Sequence, residues 1–208
     1  MNIWVQKEEV DNTDFSKFET IYYDCRDDFS DLVNFSNKYW ERGVSVIAVF
    51  SLEKYDITYM PDVFKILELF EGYLTHTQYC KGICLDFIRC KTWTLKSKDV
   101  KRLIKVLFEL EDLKKIYKSI HFTTVIPPLF GQDWKFMNER GTLHPMVYFK
   151  TCGLQFKFWA WISKLYKAEP IIRGWDITKA ELTKQENYLT KLKLKYSIFR
   201  YGTWRDLK

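Results

Sequence analysis

Apolar and polar positions follow two different periods in the middle of the chain. Residues 44–50 (VSVIAVF) and 82–88 (GICLDFI) are short, rich in β-branched side chains and almost wholly apolar, which predicts strands covered on both faces. A third such run, 120–126 (IHFTTVI), is followed by proline, which cannot donate to a strand ladder. Between these runs apolar residues recur every three or four positions, and this spacing predicts helices.

The two intervening segments predict helices that bury one face. In residues 60–75 the apolar side chains share a face, and Pro61 suits the first turn of a helix. In residues 97–118 an apolar side opposes a lysine-rich side. Because each helix joins two strands, parallel strands are expected. The pattern predicts an α/β (or α+β) two-layer sandwich, in which a small mixed sheet carries two helices on one face.

The predicted sandwich has extensions on both sides. We predict three parts: an acidic N-terminal extension at 1–43, the core domain at 44–126, and an aromatic and basic C-terminal extension at 127–208.

Further elements are predicted within these extensions. They are a strand at 2–6, a helix at 27–40, a strand at 146–150 and a charged helix at 180–197. Residues 154–166 (LQFKFWAWISKLY) fit a helix or a strand, and their tryptophans suit either an interface with protein or membrane or the core of the extension.

Charge is unevenly distributed along the 208 residues. Residues 1–43 carry ten acidic and five basic side chains, a net charge of −5, whereas the whole chain has +6, so the remainder carries +11. A basic body suits a nucleic-acid partner or an anionic membrane surface, and ordinary solvated faces are the alternative. No run approaches the roughly 20 apolar residues of a membrane helix, so no membrane span is predicted.

Amino-acid usage suggests where the protein is encoded. Lysine (25) outnumbers arginine (8), as in AT-rich genomes, yet there are 8 tryptophans, whose standard codon is GC-rich. A genetic code that also reads UGA as tryptophan, as many mitochondria do, would reconcile these facts. The low asparagine count (six) argues against strong AT pressure. We predict a mitochondrial protein encoded in the organelle.

Five cysteines without a secretion signal predict reduced thiols. His76, Cys80, Cys84 and Cys90 form an H-x3-C-x3-C-x5-C run that would suit zinc. Zinc sites favour tighter C-x2-C turns, however, and Cys84 lies within a predicted buried strand. We therefore interpret these cysteines as small buried hydrophobic residues, and predict no metal and no cofactor.

The sequence patterns of common enzyme classes are missing, including the glycine-rich phosphate loops, H-E-x-x-H and G-x-S-x-G. His76, His121 and His144 are far apart in sequence, and none has a nucleophile beside it. Asp86 falls in a predicted strand, and α/β enzymes often use a carboxylate at a strand end, but a structural or solvent-exposed aspartate is the favoured interpretation. We predict a protein that is not an enzyme and has no small-molecule substrate.

Basic residues cluster around Trp93, between residues 89 and 102. Such side chains neutralise phosphates, and an aromatic ring can stack on an unpaired base. From Ile47 to about Ile120 the chain resembles the S-ten family of small-subunit ribosomal proteins. GICLDF at 82–87 stands where the family has Gly-Pro-Ile-Pro-Leu-Pro, and Trp-Thr-Leu at 93–95 where it has an aromatic-Thr-Val-Leu run.

The resemblance leaves two registers open. In one, residues 97–118 align with an extended loop and strand of the family; in the other, they align with its second helix.

The resemblance implies a non-catalytic component of the small mitochondrial ribosomal subunit. Such a protein binds ribosomal RNA and neighbouring ribosomal proteins in translation. Together with the basic tail, it predicts the following RNA-binding residues: Lys54, Arg89, Lys91, Trp93, Lys96, Ser97, Lys98, Lys101, Arg102, Lys191, Lys193, Lys195, Arg200 and Arg205.

Two alternatives stay open. One is a non-catalytic structural subunit of a large mitochondrial or membrane-associated assembly. The other is a regulatory α/β domain resembling the anti-sigma antagonist type, since alternation of strands and helices would also give that architecture.

Overall fold

Parallel strands close into a single barrel in this computed structural model, which describes residues 2–10, 14–25, 29–110 and 119–199. Within these residues there are eight strands, which follow one another around the barrel in chain order until the last pairs with the first. The strands are β1 Asn2–Gln6, β2 Thr20–Asp24, β3 Ser45–Ser51, β4 Gly82–Asp86, β5 Ser119–Thr124, β6 Thr142–Val147, β7 Ile171–Arg173 and β8 Ser197–Phe199. This is the architecture of a TIM barrel.

Helices connect the strands on the outside of the barrel. The described residues contain α1 Phe29–Trp40, α2 Met60–Leu74, α3 Lys98–Leu110, α4 Trp134–Asn138, α5 Leu154–Leu165 and α6 Lys179–Lys191. Between β1 and β2 the described residues form two short 3-10 turns, Lys7–Glu9 and Phe15–Lys17. None of the helices described is long and apolar enough to cross a membrane.

Side chains alternate along each strand and form two separate apolar layers. Inward-facing Trp4, Tyr22, Ile47, Val49 and Cys84 fill the barrel interior. The alternate side chains pack against the helices and form the larger outer core. Since the strands are buried on both faces, they appear in the sequence as nearly continuous apolar runs.

The parallel register brings the carboxyl ends of all the strands to one rim. Gln6 lies opposite Asp24, and Ser51 lies opposite Asp86. β3 stands between β2 and β4, so Asp24 and Asp86 come from strands that are next but one to each other. Polar residues far apart in sequence are thereby gathered at one end of the barrel.

The predicted two-layer sandwich with a small mixed sheet is wrong. The strands and helices predicted between 44 and 126 are present as β3, α2, β4, α3 and β5, but every described strand pair is parallel and the sheet closes. The sequence pattern indicates an open sheet because it does not reveal β2, β7 and β8, without which the barrel cannot close. β7 and β8 have only three residues each, too few to show a period. Strands from 1–43, 44–126 and 127–208 all take part in the barrel.

The helical periodicity of the segment that follows β4 is confirmed by α3. The S-ten family would place an extended loop and strand there in one of its two registers. Residues 111–118, the remainder of the predicted helix, lie outside the described residues. The ambiguous segment 154–166 forms helix α5, with Phe156 and Ala160 buried against the barrel.

Two glycines allow the close approach of β4 to β5 to be tested. A Cβ atom on Gly82 would lie 2.2 Å from Ser119 Oγ and 2.4 Å from the Ser119 carbonyl oxygen, whereas a Cβ on Gly72 in α2 would meet nothing within 4 Å. We expect Gly82→Ala to lower the free energy of unfolding by about 2–3 kcal/mol in urea denaturation, because backbone would have to move. Gly72→Ala is the control, and should raise it by about 0.5–1 kcal/mol. A Gly82→Ala protein as stable as the original would contradict this packing.

Candidate active site at the carboxyl end of the barrel

A cavity of about 290 Å³ opens where the strands end. Polar side chains from five consecutive strands line it, and aromatic rings complete its wall. The polar group is Gln6, Asp24, Ser51, Asp86 and Thr123, and the aromatic group is Trp4, Phe87, Tyr148 and Phe199. In barrels of this fold, catalytic residues come from the carboxyl ends of the strands. The cavity is therefore the candidate active site.

Asp86, at the end of β4, is one of the carboxyl groups that line this cavity. Its side chain is buried, and the Thr123 hydroxyl donates a short hydrogen bond to Oδ1. The Phe87 backbone N–H in turn donates to Thr123 Oγ1 at 3.2 Å. Because the threonine hydroxyl accepts from the backbone and donates to Asp86, its orientation is fixed. A proton on the neutral carboxyl is therefore carried by Oδ2.

The surroundings of Asp86 shift its proton affinity toward neutrality. Burial, the largest cause, and the negative charge of Asp24 raise the pKa of Asp86 to about 7, against the lowering effects of the Thr123 hydrogen bond and the positive Arg89. A carboxyl group with such a pKa exchanges a proton at physiological pH, which is the property required of a general acid or base.

Aromatic side chains form the floor and one wall of the cavity. Trp4 stacks on Tyr22 with 4.7 Å between ring centroids, and its indole N–H donates to Ser197 Oγ at 2.9 Å. Tyr148 contacts Trp175 edge to face and lies beside Phe199. Burial and the charge of Asp86 raise the pKa of Tyr148, so its hydroxyl stays protonated. The cavity thus combines apolar ring faces with a few polar groups, as small-molecule sites do.

Two histidines meet inside the barrel below the stack of Trp4 on Tyr22. His144 Nδ1 lies 3.0 Å from the Glu169 carbonyl oxygen, which only accepts, so this nitrogen carries a proton and Nε2 is an acceptor. His121 Nδ1, 2.8 Å from His144 Nε2, therefore donates. Burial lowers the pKa of His121 to about 4 and also lowers that of His144, so both rings are neutral. The two histidines are far apart in sequence, so their proximity could not be predicted; the pairing of β5 with β6 brings them together.

The histidine and cysteine run does not converge in the structure. His76 is half-buried after α2, Cys84 lies in the barrel interior, and Cys90 belongs to the outer core. Among the described residues, no group of three His, Cys, Asp or Glu side chains is placed to hold a metal ion. All five cysteines lie among the described residues and are reduced thiols.

The residues predicted to contact RNA fall into separate groups. Lys54, Arg89 and Lys91 line depressions beside the candidate site. Trp93, 64% exposed, lies in the same loop as Arg89. Lys101 pairs with Asp133 at 2.7 Å on α3.

The remaining predicted residues lie elsewhere on the surface. Arg102 pairs with Asp99 at 3.4 Å. Exposed Lys96 and Lys98 flank the half-buried Ser97 at the start of α3. Lys191 ends α6, and Lys193 and Lys195 line cavities at the opposite, amino end of the barrel. Arg200 and Arg205 lie outside the described residues. The binding role of each of these residues stays a prediction.

Comparison with known proteins finds similarity in structure only. No protein-family model matches the chain, and no curated protein does. Cel5A of Thermotoga maritima, solved with mannotriose substrate, is similar with a TM-score of 0.63 and 11% identity over 89% of this chain and 79% of that one. An AP endonuclease of family 2 from Brucella melitensis has a TM-score of 0.61 and 9% identity over 97% and 93%. A sugar phosphate isomerase/epimerase from Parabacteroides distasonis has 0.53 and 9% over 98% and 94%.

These similarities establish the fold and correct the functional predictions. The resemblance to the S-ten ribosomal family is wrong, because 89% and 97% of the chain align with two solved structures that share its barrel fold. The motifs behind the resemblance lie on β4 and the loop after it. Three functional predictions are contradicted, because the neighbours include enzymes that act on small molecules. They are the predictions of a non-catalytic ribosomal or structural subunit, of RNA and ribosomal partners, and of no small-molecule substrate. The prediction that the protein is not an enzyme is overturned for the same reason. The mitochondrial location stays a prediction.

The raised pKa of Asp86 has a measurable effect on stability. The pKa of an aspartate in an unfolded chain is about 4, whereas that of Asp86 in the folded protein is about 7. The contribution of neutral Asp86 to the free energy of unfolding is therefore fully present below about pH 4 and is lost as the pH rises through about 7. Asparagine cannot ionise, and its oxygen can accept from Thr123. We expect Asp86→Asn to match the original protein at pH 4 and to exceed it at pH 8 by at most about 4 kcal/mol in urea unfolding.

Asp133→Asn provides a control of opposite sign for this experiment. The hydrogen bond from Lys101 lowers the pKa of Asp133, so this substitution should reduce stability at pH 8. Equal stability of the Asp86→Asn variant and the original protein at pH 8 would show that Asp86 ionises in the folded protein at little cost.

Proposed function

We propose that this protein is an enzyme that cleaves a glycosidic bond in a small saccharide, using acid–base catalysis in the cavity at the barrel mouth. The observation that carries this proposal is the buried Asp86, whose pKa is raised to about 7 by burial and by the charge of Asp24. Glycoside hydrolysis uses a pair of carboxyl groups, of which one is partly protonated at neutral pH and the other is ionised.

Each member of the carboxyl pair has a separate role. Asp86 donates the proton on Oδ2 to the glycosidic oxygen as the bond to the anomeric carbon breaks, and the alcohol leaves. Asp24 provides the negative charge that stabilises the positive charge developing on the sugar ring. Water completes the hydrolysis by adding hydroxide to the anomeric carbon, and its remaining proton returns to Asp86. Thr123 acts as a positioning residue, because it fixes which oxygen of Asp86 is free.

The shape and lining of the cavity suit a sugar ring. A space of about 290 Å³ accommodates one monosaccharide unit with some water. The apolar face of a sugar ring can pack on Trp4 or Tyr148, while Gln6 and Ser51 at the rim can bond its hydroxyl groups. Similarity of the fold to Cel5A, solved with mannotriose, and to a sugar phosphate isomerase/epimerase supports a carbohydrate substrate.

Aryl glycosides with leaving groups of graded acidity would test these roles. We expect Asp86→Asn to lower kcat/KM at least about 100-fold for a phenyl glycoside, but much less for a dinitrophenyl glycoside, which leaves without protonation. Asp24→Asn should impair both substrates alike. Lys105→Gln, on the exposed side of α3, is the control and should change neither. Failure of the original protein to hydrolyse any glycoside in a panel of common hexose and pentose derivatives would reject the proposal.

The pH profile would separate the positioning role of Thr123 from a merely structural one. Its hydrogen bond lowers the pKa of Asp86, so Thr123→Val should raise that pKa and move the alkaline limb of the kcat/KM profile to higher pH. If Thr123→Val lowers kcat/KM at every pH without shifting the alkaline limb, the positioning role of Thr123 is contradicted.

A further inference from the structure

A groove of about 420 Å³ adjoins the candidate active site. The loops that follow β3, β4 and β5 form it, and Arg89, Lys91, Tyr55 and Phe130 are among its lining residues. Glu53 and Phe87 line both the groove and the cavity. A ligand bound in the cavity can therefore extend into the groove without crossing bulk solvent.

Arg89 is the central basic side chain of this groove. Its guanidinium carbon lies 4.6 Å from the centre of the Phe87 ring and 5.4 Å from that of Phe130. The side chain is half-buried, and within the described part of the chain no carboxylate lies within ion-pair distance of it. A partly desolvated cation without an ion-pair partner costs free energy, which a bound anion would recover.

The backbone around Arg89 is held in an unusual conformation. Phe87 and Phe130 both have positive φ, 57° and 61°, a region that bulky residues rarely adopt. Strained residues of this kind persist only where their surroundings hold them, and they cluster at functional sites. Here both of them carry the rings that flank Arg89.

Hydrogen bonds between two loops hold these rings in place. The Cys90 N–H donates to the Phe130 carbonyl at 2.8 Å. The buried amide of Gln132 donates to the carbonyls of Ile88 and Thr123 at 3.1 and 3.2 Å, and accepts from the Val125 N–H at 2.9 Å. The groove is consequently preorganised before any ligand binds.

Lys91 provides a second cation in the same groove. Its ammonium group donates to the Lys54 carbonyl oxygen at 3.3 Å, which uses one of its three N–H donors and places the charge on the groove wall. Arg89 offers a planar fork of donors and Lys91 a point charge, and such a pair matches the oxygens of a phosphate group.

We propose that this groove binds the phosphate group of a phosphorylated sugar whose ring occupies the cavity. The sugar part of this inference rests on the proposed function, whereas the phosphate part rests on Arg89 and Lys91. A phosphate monoester fits better than a nucleic-acid backbone, because Glu53 borders the groove and a polyanion would have to pass its carboxylate. The enzyme would then act on glycosides of sugar phosphates.

Calorimetric titration of the full chain with hexoses, the corresponding hexose 6-phosphates and inorganic phosphate would test the inference. We expect at least one hexose phosphate to bind ten or more times more tightly than its parent hexose, and inorganic phosphate to compete with it. Arg89→Gln and Lys91→Gln should each weaken binding of the hexose phosphate at least fivefold and leave binding of the hexose unchanged. Lys98→Gln, an exposed lysine on α3, is the matched control and should change neither.

The Arg89→Lys variant controls for a folding defect, because lysine keeps the positive charge but lacks the planar set of donors. This variant should bind the hexose phosphate with intermediate affinity. Equal affinity for phosphorylated and parent sugars, or tighter binding of a single-stranded oligonucleotide than of any sugar phosphate, would overturn the inference.

Hydrolysis assays on the same variants separate this inference from the proposed function. Phosphate binding that depends on Arg89 in a protein without glycosidase activity would support the phosphate site and reject the proposed function. An Arg89→Gln substitution that changes kcat/KM by the same factor for phosphorylated and unphosphorylated glycosides would reject the phosphate site and support the proposed function.

Discussion

The pairing of β8 with β1 closes the barrel, and every feature of the candidate site depends on this contact. Two residue pairs form the seam, Asn2 with Ser197 and Ile3 with Ile198. The hydrogen bond from Trp4 to Ser197 crosses the same seam and holds the indole that forms the cavity floor. An open sheet would expose two edges of unpaired backbone groups and admit water to the interior. The seam also joins residues almost 200 positions apart, so it can form only after most of the chain is in place.

Closure explains how a polar group can be buried at the mouth at all. Asp86 is buried at the barrel mouth, and Thr123 on β5 donates a hydrogen bond to its carboxyl group. Gln132 then ties the Thr123 carbonyl to the loop that carries Arg89. The acid in the cavity and the cation in the groove are therefore held by one connected set of hydrogen bonds. Positioning of this kind is what catalysis by oriented groups requires.

Much of the local structure was predictable from the sequence, but the topology was not. β3, α2, β4, α3 and β5 have strong periods and were recognised close to their observed bounds. β2 was not recognised, because Thr-Ile-Tyr-Tyr-Asp mixes polar and aromatic residues, and with it Asp24 was missed. Nothing in the periodicity of the remaining segments distinguishes an open sheet from one that closes, since closure depends on pairing between distant segments.

The candidate chemistry was partly visible for the wrong reason. The sequence places Asp86 as a carboxylate in a predicted strand, yet a single aspartate does not indicate an active site until a neighbouring strand brings a second carboxylate near it. Arg89 and Lys91 are predicted to bind phosphate only through a resemblance to a ribosomal family that the fold contradicts. Their place beside the barrel mouth, rather than their number, is what gives them a specific role here.

The stack of Trp4 on Tyr22 has a consequence for the movement of protons. Trp4 faces the cavity at the carboxyl end, while Tyr22 faces the one at the amino end and contacts the neutral histidine pair. Two stacked ring faces exchange no hydrogen bond. Among the described residues, the hydrogen bonds of Tyr22 and the histidine pair do not reach Asp86 or Thr123. In the proposed reaction, each proton that Asp86 gives up would therefore be replaced through the same mouth by which substrate enters and product leaves.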